Sequence, residues 1–367
     1  MILDVAEKPR QRKRPHRIRG IEKYSIAKTG ASVTQKDIAR LAGVSLTTVY
    51  NAMYARELVH PETIVLIESL MREYDYQPNG IARAMVRGKT EIIGIVVPKI
   101  GIRFYSDIVS SIENSINAAG YNCIICQHLD DPIKEDRELR MMRERRVDGL
   151  IVRASGRREQ AELYQQLSRA NIPFVLVDRM MPGLEGHFVG NDGFKDSLEI
   201  TEYLIRKGHN RIATLVWSET SQKMGVKYDG YCHALKRNGI ELDQRLVKMC
   251  ATEYDSGRKE TLDLMSLSPQ DRPTAILLLN DTSVLGVIQG LLDLGISIPD
   301  DVAVACIGGH ITESLEALSR LRLTSAYVPC ETIGREAARM LLSQIEGSGW
   351  QKGPILCPSQ IRVGNSA

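Results

Sequence analysis

Apolar residues recur along this chain in two textures. Near the start they come in short bursts at helical spacing. Thr34 with Asp37 three residues on has the form of a capping box, and Ile38, Ala39, Leu41 and Ala42 make one small apolar face. Gly43 is placed to end that helix, and Ser45 to cap a second over 46–53. Pro61 suits the first turn of a third helix, with Ile64, Ile67, Leu70 and Tyr74 along one side. A Gln77-Pro78-Asn79-Gly80 turn closes the unit. Residues 81–87 allow one or two further helical turns, too few to hold alone in water.

From Glu91 the pattern changes to short runs rich in Ile and Val, alternating with helix-like stretches. Strands are expected over 92–97, 121–126, 149–152, 172–178, 188–191, 211–216, 246–251, 274–280, 302–307 and 323–327. Buried runs separated by crossover helices predict an α/β body with parallel sheets. About ten strands are many for one sheet, so two lobes are expected.

Composition narrows the class. With 43% hydrophobic and 25% charged residues, the 367-residue chain is neither wholly disordered nor collagen-like nor a disulfide-stapled miniprotein. No apolar run approaches the ~20 residues of a membrane span, and no apolar stretch follows the basic N-terminus as in a secretory signal. Seven cysteines read as reduced thiols, which predicts a cytoplasmic protein. The net charge of +3 is unevenly spread. Residues 1–90 carry 16 Lys and Arg against 9 Asp and Glu, and the rest carry 32 against 36, so a basic head precedes a mildly acidic body. Residues 8–28 hold nine basic residues and one acid without apolar periodicity, and are expected to be a disordered basic arm. Such an arm either adds phosphate contacts or is a solubilising tail.

The string Thr34-x-x-Asp37-Ile38-Ala39-x-x-Ala42-Gly43-Val44-Ser45-x-x-Thr48-Val49 reads physically as a helix-turn-helix. Small Ala39 lets two helices approach, Gly43 takes the turn, and Val44 and Val49 fill the angle. The second helix then offers its N-terminal face to a DNA major groove. An ordinary helical hairpin would share most of these features. The string also resembles the start of the LacI/GalR repressor family. The resemblance continues in order through Tyr76-Gln77-Pro78-Asn79-Gly80-Ile81-Ala82-Arg83-Ala84-Met85, Ile93-Gly94-Ile95-Val96-Val97-Pro98, Arg146-Val147-Asp148-Gly149-Leu150-Ile151, Val175-Leu176-Val177-Asp178-Arg179 and Gly208-His209-Asn210-Arg211-Ile212-Ala213. It runs on through Asn280-Asp281, Leu285-Gly286, Gly295-Ile296, Ile298-Pro299, Asp301-Val302 and Leu323-Thr324, covering residue 33 to the C-terminus.

The resemblance implies a helix-turn-helix head over 33–78, a hinge helix over 79–90 and a two-lobed core like a periplasmic sugar-binding protein. The first lobe would comprise 91–192 and 323–351, the second 193–322 and 352–367, after the arm at 1–32. It implies a homodimer on a palindromic double-stranded DNA operator, and a regulator, most simply a repressor, with no enzymatic activity. By position in the family motif, Leu46, Thr47 and Asn51 would read bases, with Asn at the third position favouring adenine where the usual Arg favours guanine. Ser45, Thr48 and Thr63 would contact phosphate. Tyr50 and Tyr54 replace the usual Ser and Asn. Met85, flanked by Arg83 and Arg87, would wedge into the minor groove.

Ligands of this fold bind between lobes at strand C-termini. Candidates there are Phe104, Tyr105, Arg153, Asp178, Asn191, Asp192, Lys227 and Asp281, which supply an aromatic face and fixed hydrogen-bonding groups. Each has an alternative as a solvated loop residue or a cap, and Asp281 is placed to cap a helix beginning at Thr282. Three departures from the family stand out. Lys227 replaces an Arg, Asn191-Asp192 inverts an Asp-Asn pair, and Cys306-Ile307-Gly308-Gly309 replaces Gly-Phe-Asp-Asp. These departures argue against a standard neutral sugar, and Arg153 and His310 leave room for an acidic or phosphorylated ligand, so the expected effector is carbohydrate-derived: a sugar, sugar acid or sugar phosphate. The eroded mouth at Gly308-Gly309 leaves open a core that docks a protein partner, and more remotely an enzyme acting on the cleft ligand. No cofactor, metal site or catalytic constellation is expected. Cys123 and Cys126 lie three apart on an expected strand and so face opposite ways.

Overall fold

Thr34 opens the first helix. Its hydroxyl accepts the Asp37 N–H while the Asp37 carboxylate accepts the Thr34 N–H, a closed capping box. Helix α1 (Gln35–Ala42) ends at Gly43, whose φ of +66° is the left-handed geometry that glycine takes without strain. Helix α2 (Leu46–Tyr54) starts from Ser45, whose Oγ accepts the Thr48 N–H at 3.0 Å. Helix α3 (Pro61–Glu73) has Pro at its first turn. Ile38, Ala39, Val49, Ala52, Ile64 and Ile67 form the buried centre of this unit, with Val44, Leu70 and Tyr74 packed around them. These helices belong to one compact unit, and residues from Lys89 onward form another.

The computed structural model describes residues 33–78, 84, 88–156, 161–181, 183–184, 187–216, 225–250, 254–349 and 353–367. The expected basic arm, and Arg83, Met85 and Arg87 of the expected hinge, lie outside the described residues.

The second unit contains two six-stranded sheets. The first holds β1 (Ile92–Val97), β2 (Asn122–Gln127), β3 (Gly149–Val152), β4 (Phe174–Val177), β5 (Phe188–Gly190) and β11 (Ile355–Leu356). Their order across the sheet is β11-β5-β4-β3-β1-β2, all parallel. The second holds β6 (Ile212–Val216), β7 (Val247–Met249), β8 (Ala275–Leu278), β9 (Ala303–Gly308), β10 (Thr324–Tyr327) and β12 (Gln360–Arg362). Its order is β12-β10-β9-β8-β6-β7, parallel except for the β10–β12 pair. Helices α4 (Arg103–Ala118), α5 (Pro132–Glu144), α6 (Ala161–Arg169), α7 (Gly193–Arg206), α8 (Gly225–Arg237), α9 (Tyr254–Met265), α10 (Val284–Asp293), α11 (Thr312–Ser319) and α12 (Cys330–Glu346) supply the crossovers. Strands β1, β3, β4 and β8 are buried almost throughout, which explains their unbroken Ile, Val and Leu runs.

Two lobe boundaries differ from expectation. The strand over 323–327 is expected in the first lobe, but β10 pairs with β9 in the second sheet. The chain therefore crosses back only at 328–330, where α12 leaves to pack on α4, β3 and β4. The third crossing falls at 357–359 rather than near 352, because β11 still pairs with β5 in the first sheet. Only sheet pairing reveals either boundary.

Candidate functional site

In the head, the capped start of α2 sets the geometry. Leu46 and Thr47 stand exposed in its first turn, with Leu46 at 50%, and Asn51 follows half-buried one turn on. Leu46 thus leaves an apolar side chain open at the start of α2. The Thr48 hydroxyl lies 2.8 Å from Ser45 Oγ, so both phosphate candidates already share a bond at the helix N-terminus. There the partial positive charge of the free N–H groups favours an anion. Thr63 is half-buried in the first turn of α3. Tyr50 and Tyr54 pack ring to ring at 5.0 Å.

In the core, the candidates collect where strands end. In the first sheet the order reverses between β1 and β3, the kind of crevice where open α/β sheets take ligands. Tyr105, one turn into α4 after β1, donates its hydroxyl to Asp178 Oδ2 at 3.0 Å. Asp178 follows β4 in left-handed geometry, φ 63°. Arg153, directly after β3, is 2% exposed. Its Nε lies 3.3 Å from Asp178 Oδ2 and its Nη1 pairs with Asp130. The Arg153 carbonyl in turn bonds His128 Nε2 at 2.8 Å. Behind it the buried Glu135 accepts from the Ser155 N–H at 2.7 Å and from the Tyr164 hydroxyl. Burial pushes the hydroxyls of Tyr105 and Tyr164 up, so both stay protonated donors, and burial pushes His128 down.

From the second-lobe side come Lys227 of α8, whose Nζ donates to the Leu279 carbonyl at 3.1 Å, and Asp281, just after β8. Asp281 does not cap a helix at Thr282. Helix α10 begins at Val284 after Ser283, and Asn280 Oδ1 accepts from the Thr282 N–H instead. Asp281 Oδ2 accepts the His310 N–H at 2.8 Å. Its carboxyl fills the space of the missing side chain at Gly308, where a Cβ would stand 2.9 Å from it. His310 is buried, with Phe104, Asp107, Tyr327 and Cys330 about it.

Two further candidates have partners that belong to the crossings between the lobes. Asn191 Nδ2 donates to Asp196, which also accepts from Ser359 Oγ at 2.8 Å, tying the first crossing to the third. Asp192 caps α7 through the Lys195 N–H at 3.0 Å. Both therefore shape the crossings. Burial raises the Asp196 carboxyl above its usual range, against the hydrogen bonds from Asn191 and Ser359. Sequence reasoning missed Asp107, His128, Asp130 and Tyr327. The partners named above lie 17 or more residues away along the chain, and no local pattern marks them. The ground for an anionic ligand also weakens. Arg153 meets two carboxylates, and burial holds His310 toward its neutral form.

Among the described residues, no group of three or more His, Cys, Asp or Glu is arranged to hold a metal ion. Cys123 and Cys126 are free thiols, and burial raises the second to about 11. No helix of the described residues is long and apolar enough to cross a membrane.

Residues 34–79 match the model of bacterial regulatory proteins of the lacI family. Residues 90–359 match that of periplasmic binding proteins and the sugar-binding domain of the LacI family. The HTH-type transcriptional repressor PurR of Vibrio atlanticus is 31% identical over 87% of this chain and 94% of its own length. The ribose operon repressor of Escherichia coli is 28% identical over 85% and 93%. Among solved structures, the regulator CelR in complex with cellobiose superposes with a TM-score of 0.67 at 25% identity, over 91% of this chain and all of that one. The Lac repressor dimer bound to operator and an anti-inducer gives 0.80 at 21% identity, over 92% and 99%, a likeness of fold.

Proposed function

The chain belongs to the LacI family of DNA-binding transcriptional regulators, and from that premise we propose that it is a repressor that binds a palindromic operator as a homodimer and answers to a small molecule. The carrying observation is the capped first turn of α2 with Leu46 and Thr47 exposed and Asn51 half-buried one turn on, and in our reading these three side chains read base edges. Ser45, Thr48 and Thr63 meet phosphate and hold the register. Arg83, Met85 and Arg87 act in the minor groove, and the protein works in the bacterial cytoplasm without catalysis.

The effector sits in the crevice against Phe104, Tyr105, Asp178, Lys227 and Asp281. The site is rich in carboxylate acceptors, and its buried guanidinium is already matched. That balance favours a neutral polyhydroxylated ligand over a sugar acid or phosphate. A carbohydrate is in keeping with the cellobiose of the CelR complex. Effector and operator binding are linked by one reciprocal free energy, typically ~1–3 kcal/mol.

The test is an operator-binding titration with a panel of neutral sugars, sugar acids and sugar phosphates. A neutral sugar should shift operator affinity in the wild type, and Asp281→Ala should need a much higher concentration for the same shift. A response to the phosphorylated compounds alone would refute the ligand class. A mutant with wild-type response would remove Asp281 from the site.

A further inference from the structure

His310 is a buried residue with elements of both sheets packed against it. It follows Gly308 and Gly309, whose φ values of 121° and 77° are open to glycine and strained for other residues. The pair redirects the chain at the end of β9, and the Asp281 carboxylate pins the His310 N–H at 2.8 Å. The ring then stands between elements of both lobes. On the second-lobe side Tyr327, at the end of β10, lies 5.1 Å away between centroids. On the first-lobe side Phe104 of α4 packs edge-on at 5.7 Å. Asp107 of the same helix is 3.5 Å from Nδ1, and Cys330 Sγ at the start of α12 is 3.3 Å from Nε2. His310 and Cys330 are 6% and 2% exposed, so each covers the other from water.

We infer that His310 is an interlobe latch that holds the crevice shut by protein contacts alone, and that protonating its ring releases it.

The surroundings of the imidazole set its charge. A neutral ring can donate from Nδ1 to Asp107 and face the thiol with Nε2, while its faces and edges lie against two aromatic rings. A charged ring in the same place loses water on all sides. The ionisable and charged groups around it are Asp107 and Arg103 from α4, Asp281 after β8, Tyr327 of β10, Cys330 of α12 and Arg362 of β12. Asp281 and Asp107 favour the cation, whereas Arg103, Arg362 and, most of all, burial oppose it, and the balance lowers the His310 pKa. An opened crevice returns the ring to water, where histidine titrates near ~6.5. The closed form therefore binds the proton less well than the open form. Closure is strongest above that value and weakens as the pH falls below it. An effector would then engage a core whose open fraction depends on pH, with operator binding only a downstream readout.

Cys330 reports the latch without added probes. The full-length chain is alkylated with N-ethylmaleimide, and the rate at Cys330 is followed by peptide mass spectrometry. Each rate is divided by that of the same peptide in urea-unfolded protein at the same pH, which removes the thiolate fraction. Cys306, fully buried inside β9, reports global unfolding. The wild type should show slow labelling at Cys330 at pH 7.5 and about tenfold faster labelling at pH 5.5, with Cys306 unchanged. His310→Phe keeps an apolar ring and should abolish the pH response. Asp107→Asn, a change on a partly exposed side chain, should speed labelling at pH 7.5. Equal protection at both pH values in the wild type would overturn the inference. So would a pH response that survives in His310→Phe, or a rise at Cys330 matched by Cys306.

Discussion

Replacing Arg153 by Met tests the reading of the crevice most directly. The guanidinium is 3% exposed and meets Asp130 and Asp178, themselves 27% and 21% exposed. At an effective dielectric near 20, one unit pair at ~4 Å is worth about 4 kcal/mol, so two pairs give about 8 before desolvation is charged against them. Most of that gain is cancelled by taking Arg153 out of water, so the intact cluster contributes little net stability. Removing one partner is different, because the carboxylates remain and their compensation does not. Breaking a fully buried pair costs about 3–5 kcal/mol. Here both carboxylates keep some contact with water, which relieves part of that cost, and a loss of about 2–4 kcal/mol is expected. Methionine fills much of the volume, so a cavity contributes little. The assay is urea unfolding of the full-length chain at pH 7.5, followed by circular dichroism. Adding Asp130→Asn and Asp178→Asn to the Met variant removes the orphaned charges and should recover more than half of the loss. A single variant within ~0.5 kcal/mol of wild type would refute the reasoning. A triple variant no better than the single would do so too, since packing rather than charge would then dominate.

Thr34→Ala opens the capping box of α1 and should cost the head about 1 kcal/mol, read as a lower thermal midpoint of its helical signal. Asn51→Arg should move the preferred half-site base from adenine to guanine by ~1–3 kcal/mol, and identical selected sequences for both proteins would count against base reading by Asn51. Burial raises the folded-state pKa of Asp196 above its unfolded value. Its contribution is therefore fully present below the unfolded pKa and is lost as the pH rises through the folded one. Asp196→Asn cannot titrate, so its stability relative to wild type should rise between pH 3.5 and 6.5, and a flat difference would contradict that. Deleting residues 1–30 should flatten the slope of log operator affinity against log salt by about 0.9 for each phosphate the arm had neutralised, and an unchanged slope would make the arm passive.

Features set by neighbours in the chain were legible in the sequence. The Thr34–Asp37 box, the Gly43 stop, the Ser45 cap and the Pro61 start lie within a turn of the groups they satisfy, and all four are present. Most of the ten expected strands could be read because runs buried on both faces must be apolar over their whole length, as in β1, β3, β4 and β8, whereas the edge strands β2 and β7 are only partly buried. Strands β11 and β12, two and three residues long, carry no such signal and exist because a neighbouring strand pairs with them. The place of β10 in the second sheet is likewise a matter of hydrogen bonding to β9, so the lobe boundary moved. The crevice was legible as a set of residues at strand ends, while the role of each was not. Arg153 became a matched ion rather than a free cation only because the loop carrying Asp130 and the end of β4 carrying Asp178 meet there. Asn191 proved a strut because Ser359, far along the chain, shares its acceptor. His310, expected to leave room for an acidic ligand, is instead buried because segments of both lobes pack against it. Periodicity and caps record what a residue needs from its own segment. Charge state, burial and partnership at a site depend on segments tens to hundreds of residues apart, and only their packing brings those groups within a few ångströms.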